Sequence, residues 1–188
     1  MGTIALMPLV YFASSFTRHG ASHDIHDSLG KTVARQQSKG PTVGPPARLE
    51  IPKIKVDAIV EDMGLTSAGN MDVPTSIVDV GWYEYGPHPG DPGSAVIAGH
   101  LDGRKGEPGV FRYLSELKPG DGLATVDRQG RVTDFVVRQI RTYDQNAHPS
   151  EVFNAVSGTH LNLITCTGAW DLAQHRFTQR LVVFADKT

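Results

Sequence analysis

LATVDRQGRVTDFVVRQIRTY, residues 123–143, is the stretch whose reading decides the fold. Two extended runs, Leu123 to Asp127 and Arg131 to Tyr143, flank Arg128-Gln129-Gly130, which together read as a β-hairpin. Outward from it the same texture recurs. Arg48 to Pro52 and Lys55 to Val60 read as strands, the first stopped by Pro52. Asn70 to Pro74 looks like a short extended piece, and SAVIAG (94–99) is a compact apolar run suited to a buried strand. Leu161 to Cys166 and Leu181 to Phe184 are the last two strands, while Val110 to Leu117 fits one or two helical turns before Pro119-Gly120. Seven or eight short strands with Gly/Pro turns predict an all-β barrel or sandwich.

Composition agrees. Among 188 residues are 20 glycines and 12 prolines, well above the roughly 12% that the two make up in average proteins. That favours turns and short strands over a helical bundle. Hydrophobic residues at 39% and charged residues at 20% exclude a wholly disordered chain. A net charge of −2 gives no basic field to hold nucleic acid. One cysteine rules out an internal disulfide and any C-x-x-C site.

Residues 1–16 include the mostly apolar run TIALMPLVYFASSF, followed by Arg18 and His19. The run is short of the ~20 residues that span a bilayer, and no basic region precedes it. It reads either as a buried or frayed segment or as part of a membrane anchor or signal segment; the anchor is the expectation taken here. Residues 17–46 are polar with a Gly/Pro-rich end, and read as a flexible linker. His19, His23 and His26 would share a helical face, but Gly20 and the lack of an apolar face argue against a metal site there. From Ala47 onward the texture changes to strands and turns, and the chain reads as one folded domain, 47–188.

Cys166 ends an apolar strand before a Gly-containing loop. Composition alone is compatible with a buried, inert thiol. A strand end meeting a loop is also where a thiol is held rigidly yet stays reachable. His100 ends AVIAGH in the same manner, and Arg180 opens RLVVFA. A thiol nucleophile needs an imidazole beside it and a cation for the oxyanion, so Cys166, His100 and Arg180 are candidates for an acyl-transfer site.

At these residues the chain resembles a known family. AGHLDG (98–103), LITCTG (163–168) and RLVVFA (180–185), in that order, look like the three signatures of sortases, cysteine transpeptidases of Gram-positive cell surfaces. The resemblance runs from Ala47 to the C-terminus and includes LEIPKIKVDAIV and the GWY at 81–83. GWYEYGP…AVIAGHLDG…LITCTGAWD is closest to classes E and F, class F more so. The resemblance implies an eight-stranded sortase-type β-barrel with a few short helices and no cofactor. It implies that Cys166 attacks the Thr–Gly bond of an LPXTG-like sorting signal in a secreted protein. His100 would protonate the leaving amine and later deprotonate a peptidoglycan-precursor amine, and Arg180 would hold the oxyanion. The expected enzyme is an N-terminally anchored, extracellular monomer.

Substrate-binding roles are expected for Ala98, beside the Gly-His, and for Phe153 and Val156 in the loop from Asp144 to His160. Thr165 either lines the groove or packs in the strand. Asp102, two residues past His100, either orients the imidazole or is a solvated turn carboxylate. His148, His160 and His175 are expected in loops. Arg176 is expected in a mobile loop spanning Ala169 to Gln179, so Arg180 is the preferred oxyanion residue. Glu84 and Asp91 are too few acids to predict a calcium requirement. An L,D-transpeptidase would carry His and Cys close together, which this chain does not. A pilin-polymerising sortase would carry a plug such as Asp-Pro-Trp, which residues 17–46 lack. A surface β-barrel module with an inert cysteine is the non-enzymatic alternative.

Overall fold

A computed structural model describes residues 43–155 and 157–188. The expectations for residues 1–16, for most of the 17–46 linker and for Val156 lie outside the described residues. No described helix is long and apolar enough to cross a membrane.

Eight strands form: β1 (Pro46–Ile51), β2 (Val56–Met63), β3 (Val80–Tyr83), β4 (Gly93–Gly99), β5 (Gly122–Asp127), β6 (Val132–Asp144), β7 (Thr159–Asp171) and β8 (Arg176–Lys187). They close into a barrel in the order β1-β2-β3-β4-β7-β8-β6-β5. The β2–β3 and β4–β7 pairs are parallel. The remaining pairs are antiparallel. Closure leaves no strand edge unpaired. Among the described residues helix is confined to α1 (Ser150–Phe153) and two 3-10 turns, Pro52–Ile54 and Leu114–Glu116.

The predicted hairpin forms as β5 and β6. Its turn is organised by the buried Asp127 carboxylate, which accepts hydrogen bonds from the Gln129 N–H (2.8 Å), the Arg131 N–H (2.9 Å) and Arg131 Nε (2.6 Å). It also accepts from the Gly44 N–H at 3.1 Å, while the Arg128 N–H donates to the Pro45 carbonyl. Burial alone would push this carboxyl up; the donors from Arg131, Gly44 and Gln129 outweigh it and hold the group at about 2. The last residues assigned to the linker are thus tied to the barrel, and β1 begins at Pro46.

Alternation sorts the side chains. Ala95, Ile97, Leu161, Leu163, Leu181, Val183 and Ala185 point into the barrel with Leu49, Ile51, Phe111 and Phe135. On the outside of β4 and β8, Val96, Val182 and Phe184 are buried again, beneath Val152 of α1. Strands covered on both faces give uninterrupted apolar runs, which is why AVIA and LVVFA stand out in the sequence. The cover is fastened at two points. Asn162 Nδ2 donates to the Val152 carbonyl at 2.6 Å. Glu151 accepts from Tyr143 Oη (2.9 Å) and Arg141 Nη1 (3.2 Å).

Three expectations change. Asn70 to Pro74 forms no strand, only the isolated bridge Leu65–Met71. Strand β3 was not anticipated. Residues 169–179 are not one loop: β7 and β8 run on as a two-stranded ribbon in which Trp170 pairs with Phe177 and Asp171 with Arg176.

Candidate active site

The site is built on the outer face of three adjacent strands. In the parallel β4–β7 pair Ala98 stands opposite Ile164. The next same-face positions are His100 and Cys166, so the register, continued two residues, leads to both just beyond the end of β4. In the antiparallel β7–β8 pair Cys166 is directly opposite Arg180. Cross-strand partners bring their Cβ atoms to about 5 Å. The register thus leads three residues distant in sequence to neighbouring backbone positions.

Local bonds hold the corner. Thr165 Oγ1 donates to the Gly99 carbonyl at 2.9 Å, tying β7 to β4 one residue before the thiol and the imidazole. Thr165 is buried and lies on the face opposite Cys166, so the expectation that it lines a substrate groove is corrected to the strand-packing alternative. His100 Nε2 lies 2.7 Å from the Pro74 carbonyl. A carbonyl only accepts, so Nε2 carries the hydrogen and the neutral ring keeps its lone pair on Nδ1. Asp102 does not orient this ring: its carboxylate is held by Arg112. Burial pushes the Cys166 thiol up, and the Arg180 guanidinium opposes that shift. Arg180 Nη1 donates to the Gln179 carbonyl at 3.2 Å.

From this corner a groove of about 1270 Å³ runs beneath the β6–β7 loop. Ala98, Ile164, Val182 and Arg180 line its near end, and Phe153 lines it from α1. Phe153 meets Tyr83 edge to face at 5.8 Å, and Tyr83 meets Tyr85 in the same manner at 5.7 Å. Cys166 and His100 do not line the groove; they stand two positions beyond Ile164 and Ala98. A smaller cavity of about 520 Å³, between Lys53–Asp57 and Pro108–Glu116, holds none of the candidate residues.

The remaining histidines and Arg176 separate. His148 lines the groove from the loop. His160 belongs to β7 rather than a loop, with Nδ1 2.7 Å from Asp186 and Nε2 2.7 Å from the Ser157 carbonyl. His175 is in the β7–β8 turn at φ 51. Arg176 opens β8 instead of sitting in a mobile loop; it lines the groove, and Gln174 holds its guanidinium. Sequence reasoning missed Tyr83, Tyr85, Tyr143 and Gln145 as groove residues. The i, i+2 tyrosines of GWYEYG were a usable signal for the first two. Among the described residues no group of three or more His, Cys, Asp or Glu is placed to hold a metal ion.

A closed eight-stranded barrel with a cysteine, a histidine and an arginine gathered at one corner defines a narrow class of protein. A family model described as "Sortase domain" matches residues 49–188, and the chain belongs to the sortase family. No curated protein matches it. Solved structures similar in fold include sortase C-1 from Actinomyces oris (22% identity, covering 75% of this chain and 72% of that one, TM-score 0.60). Sortase A from Corynebacterium diphtheriae shares 21% identity, covers 79% of this chain and 61% of its own, and has a TM-score of 0.58. A Clostridium perfringens sortase D5 transpeptidase shares 22% identity over 77% and 79% of the two chains, with a TM-score of 0.57. Family membership implies a cysteine transpeptidase of the bacterial cell surface.

Proposed function

We propose that this protein cleaves an LPXTG-like sorting signal between Thr and Gly and transfers the acyl group to a cell-wall amine. Cys166 is the nucleophile, His100 the acid–base and Arg180 the oxyanion partner. The observation that carries the reading is the register: Cys166 opposite Arg180, and His100 brought alongside by the Ala98–Ile164 pair.

In this reading Cys166 gives its thiol proton to His100, Sγ bonds to the Thr carbonyl carbon, and the carbonyl oxygen becomes an oxyanion facing the guanidinium. The thiol is raised by burial, so Arg180 and the imidazole together must favour its ionisation. Collapse breaks the C–N bond while His100 gives its proton to the departing glycine nitrogen, since an amine leaves only when protonated. The thioester retains acyl energy for a second nucleophile. An incoming amine loses a proton to His100, forms the new amide and expels Sγ.

The signature wording favours class F. Residues 1–16 act as a partial membrane anchor or signal segment and the linker that follows, up to the residues tied to the barrel at Gly44–Pro46, as a tether presenting the barrel, as a monomer, on the outer face of the membrane. The test is incubation with a fluorogenic LPXTG peptide, with and without triglycine, and mass analysis of the products. Amine-dependent ligation that disappears in Cys166→Ala supports the proposal; ligation retained by that variant overturns it.

A further inference from the structure

We infer that His160 is a positioning residue for the groove: as an imidazolium it pins the end of the loop that roofs it, and loss of its proton weakens peptide binding. The coupling to peptide rests on the sorting-signal reading above.

The two bonds on the ring set its charge. Nδ1 lies 2.7 Å from Asp186 Oδ1, and Nε2 lies 2.7 Å from the Ser157 carbonyl oxygen. A carboxylate and a carbonyl only accept, so both ring nitrogens donate, and only the charged ring carries two hydrogens. A neutral ring keeps one of the bonds and turns a lone pair on the other acceptor. The bond to the carboxylate is charge-assisted and is the one retained. The Ser157 carbonyl is the one released.

The charged groups around the ring are few. Asp186 comes from β8, and Arg138 of β6 shares it, with Nε 3.1 Å from the same Oδ1. Gly93 and Ser94 stand beside Thr159 and His160 on β4 and are uncharged, as are Ser157 and Gly158 of the loop. Lys187 donates to the Gly90 carbonyl instead, and Asp91 pairs with His88.

What the ring holds is the far end of the loop. Asn154 and Ala155 line the groove, and Ser157 follows two residues later. On one side of this stretch the Asn154 N–H donates to the Ser150 carbonyl; on the other, the Gly158 carbonyl accepts from the Gly93 N–H at 2.9 Å. Among the described residues, the bond from His160 is the one tie between them. Gly158 makes it attainable. A side chain there would meet Nε2 at 2.6 Å, and its φ of +86° is one that other residues rarely adopt. Without the imidazolium the stretch is held at its two ends alone, and the groove wall at Asn154 and Ala155 loosens.

The experiment uses the full chain carrying Cys166→Ala, so that peptide binds without turnover, with His160 intact or replaced in His160→Gln. Binding of Ac-Leu-Pro-Glu-Thr-Gly-Gly-NH2 is followed by NMR from about pH 5.5 to 9, which brackets the range where imidazoles exchange their proton. Ring 15N signals, assigned by their absence in His160→Gln, report the protonation of His160 in the same samples. The Kd is expected to rise about threefold to tenfold as those signals show the proton leaving, the effect of one net hydrogen bond. The glutamine amide can donate to the Ser157 carbonyl at any pH, so His160→Gln should lack that rise. Any pH dependence from His100 is common to both proteins and cancels in the comparison. A ring with one hydrogen at the acid end of the series overturns the inference. So does a Kd that ignores the ring's titration, or one that rises equally in both proteins; in either case the peptide still binds and the sorting-signal reading stands. Binding at no pH removes that reading, and the coupling with it.

Discussion

Replacing Arg180 with Ala removes the one guanidinium directly opposite Cys166, and the size of the loss can be worked from the register. Cross-strand partners place the guanidinium on the order of 6 Å from the charge that develops on the substrate oxygen. At an effective dielectric of about 20 that interaction is worth roughly 3 kcal/mol, or about two orders of magnitude in rate. Loss of a preorganised oxyanion donor typically costs about 10²–10³, in agreement. Arg176 also lines the groove, but its guanidinium is held by Gln174 and its cross-strand partner is Asp171, five residues beyond the thiol. We therefore expect Arg180→Ala to lower kcat/KM by about 10² or more and Arg176→Ala by less than about tenfold, on one fluorogenic peptide. The same variants report on the thiol. Arg180 is the charge that opposes the upward push of burial on Cys166. Its removal should move the pH midpoint of iodoacetamide alkylation higher still, and Arg176→Ala should leave the midpoint in place. The reverse ranking of the two variants, or a loss below tenfold at Arg180, would refute the assignment.

His100→Ala should lower the rate by about 10²–10⁴, the range for a positioned acid–base, with the unfolding midpoint retained; a loss below tenfold would make His100 structural. Thr165→Val keeps the side chain's shape but leaves the buried Gly99 carbonyl without its donor. It should cost about 1–3 kcal/mol in urea unfolding, with a drop in activity as the imidazole and thiol lose their common anchor. Asp127 titrates at about 2 in the folded chain against an ordinary 3.8. Its contribution is therefore complete above about pH 4 and is lost as the pH falls towards 2. Asp127→Asn should lower the melting temperature at pH 6, and the gap to wild type should close between pH 4 and 2; a gap that persists at pH 2 would contradict the hydrogen-bonding account.

The parts legible in the sequence are those whose burial imposes a pattern. The β5–β6 hairpin has a buried face and a marked turn, and β4 and β8 are covered on both sides, so their apolar runs are unbroken. Cys166, His100 and Arg180 were expected at strand ends; His100 does follow β4, but β7 runs on past Cys166 and β8 begins before Arg180. What the pattern could not carry was less local. Strand β3 has four residues, one of them Gly81, and its buried Trp82 is as compatible with a turn as with a strand. The ribbon at 169–179 stands clear of the barrel, so nothing forces its residues to alternate, and Trp170 and Leu172 remain exposed. The Thr165 assignment was open to correction from sequence alone, because its neighbour Cys166 faces the site and adjacent strand residues face opposite ways. The bond from His100 to the Pro74 carbonyl involves a backbone atom 26 positions away, which no side-chain pattern announces.

Strand β8 is the last to be made, and it inserts between β7 and β6. Its ladder to β7 is local, closing across the turn at 172–175, whereas its ladder to β6 joins residues far apart in sequence and shuts the barrel, and such distant contacts form slowly. Until β8 docks, the Cys166 thiol has no guanidinium opposite it, and the outer wall of Val182 and Phe184 beneath α1 does not exist. Assembly therefore has a built-in order in which the sulfur acquires its charged neighbour as β8 pairs with β7 and the barrel shuts last, and an unfinished chain carries a cysteine in an unfinished setting.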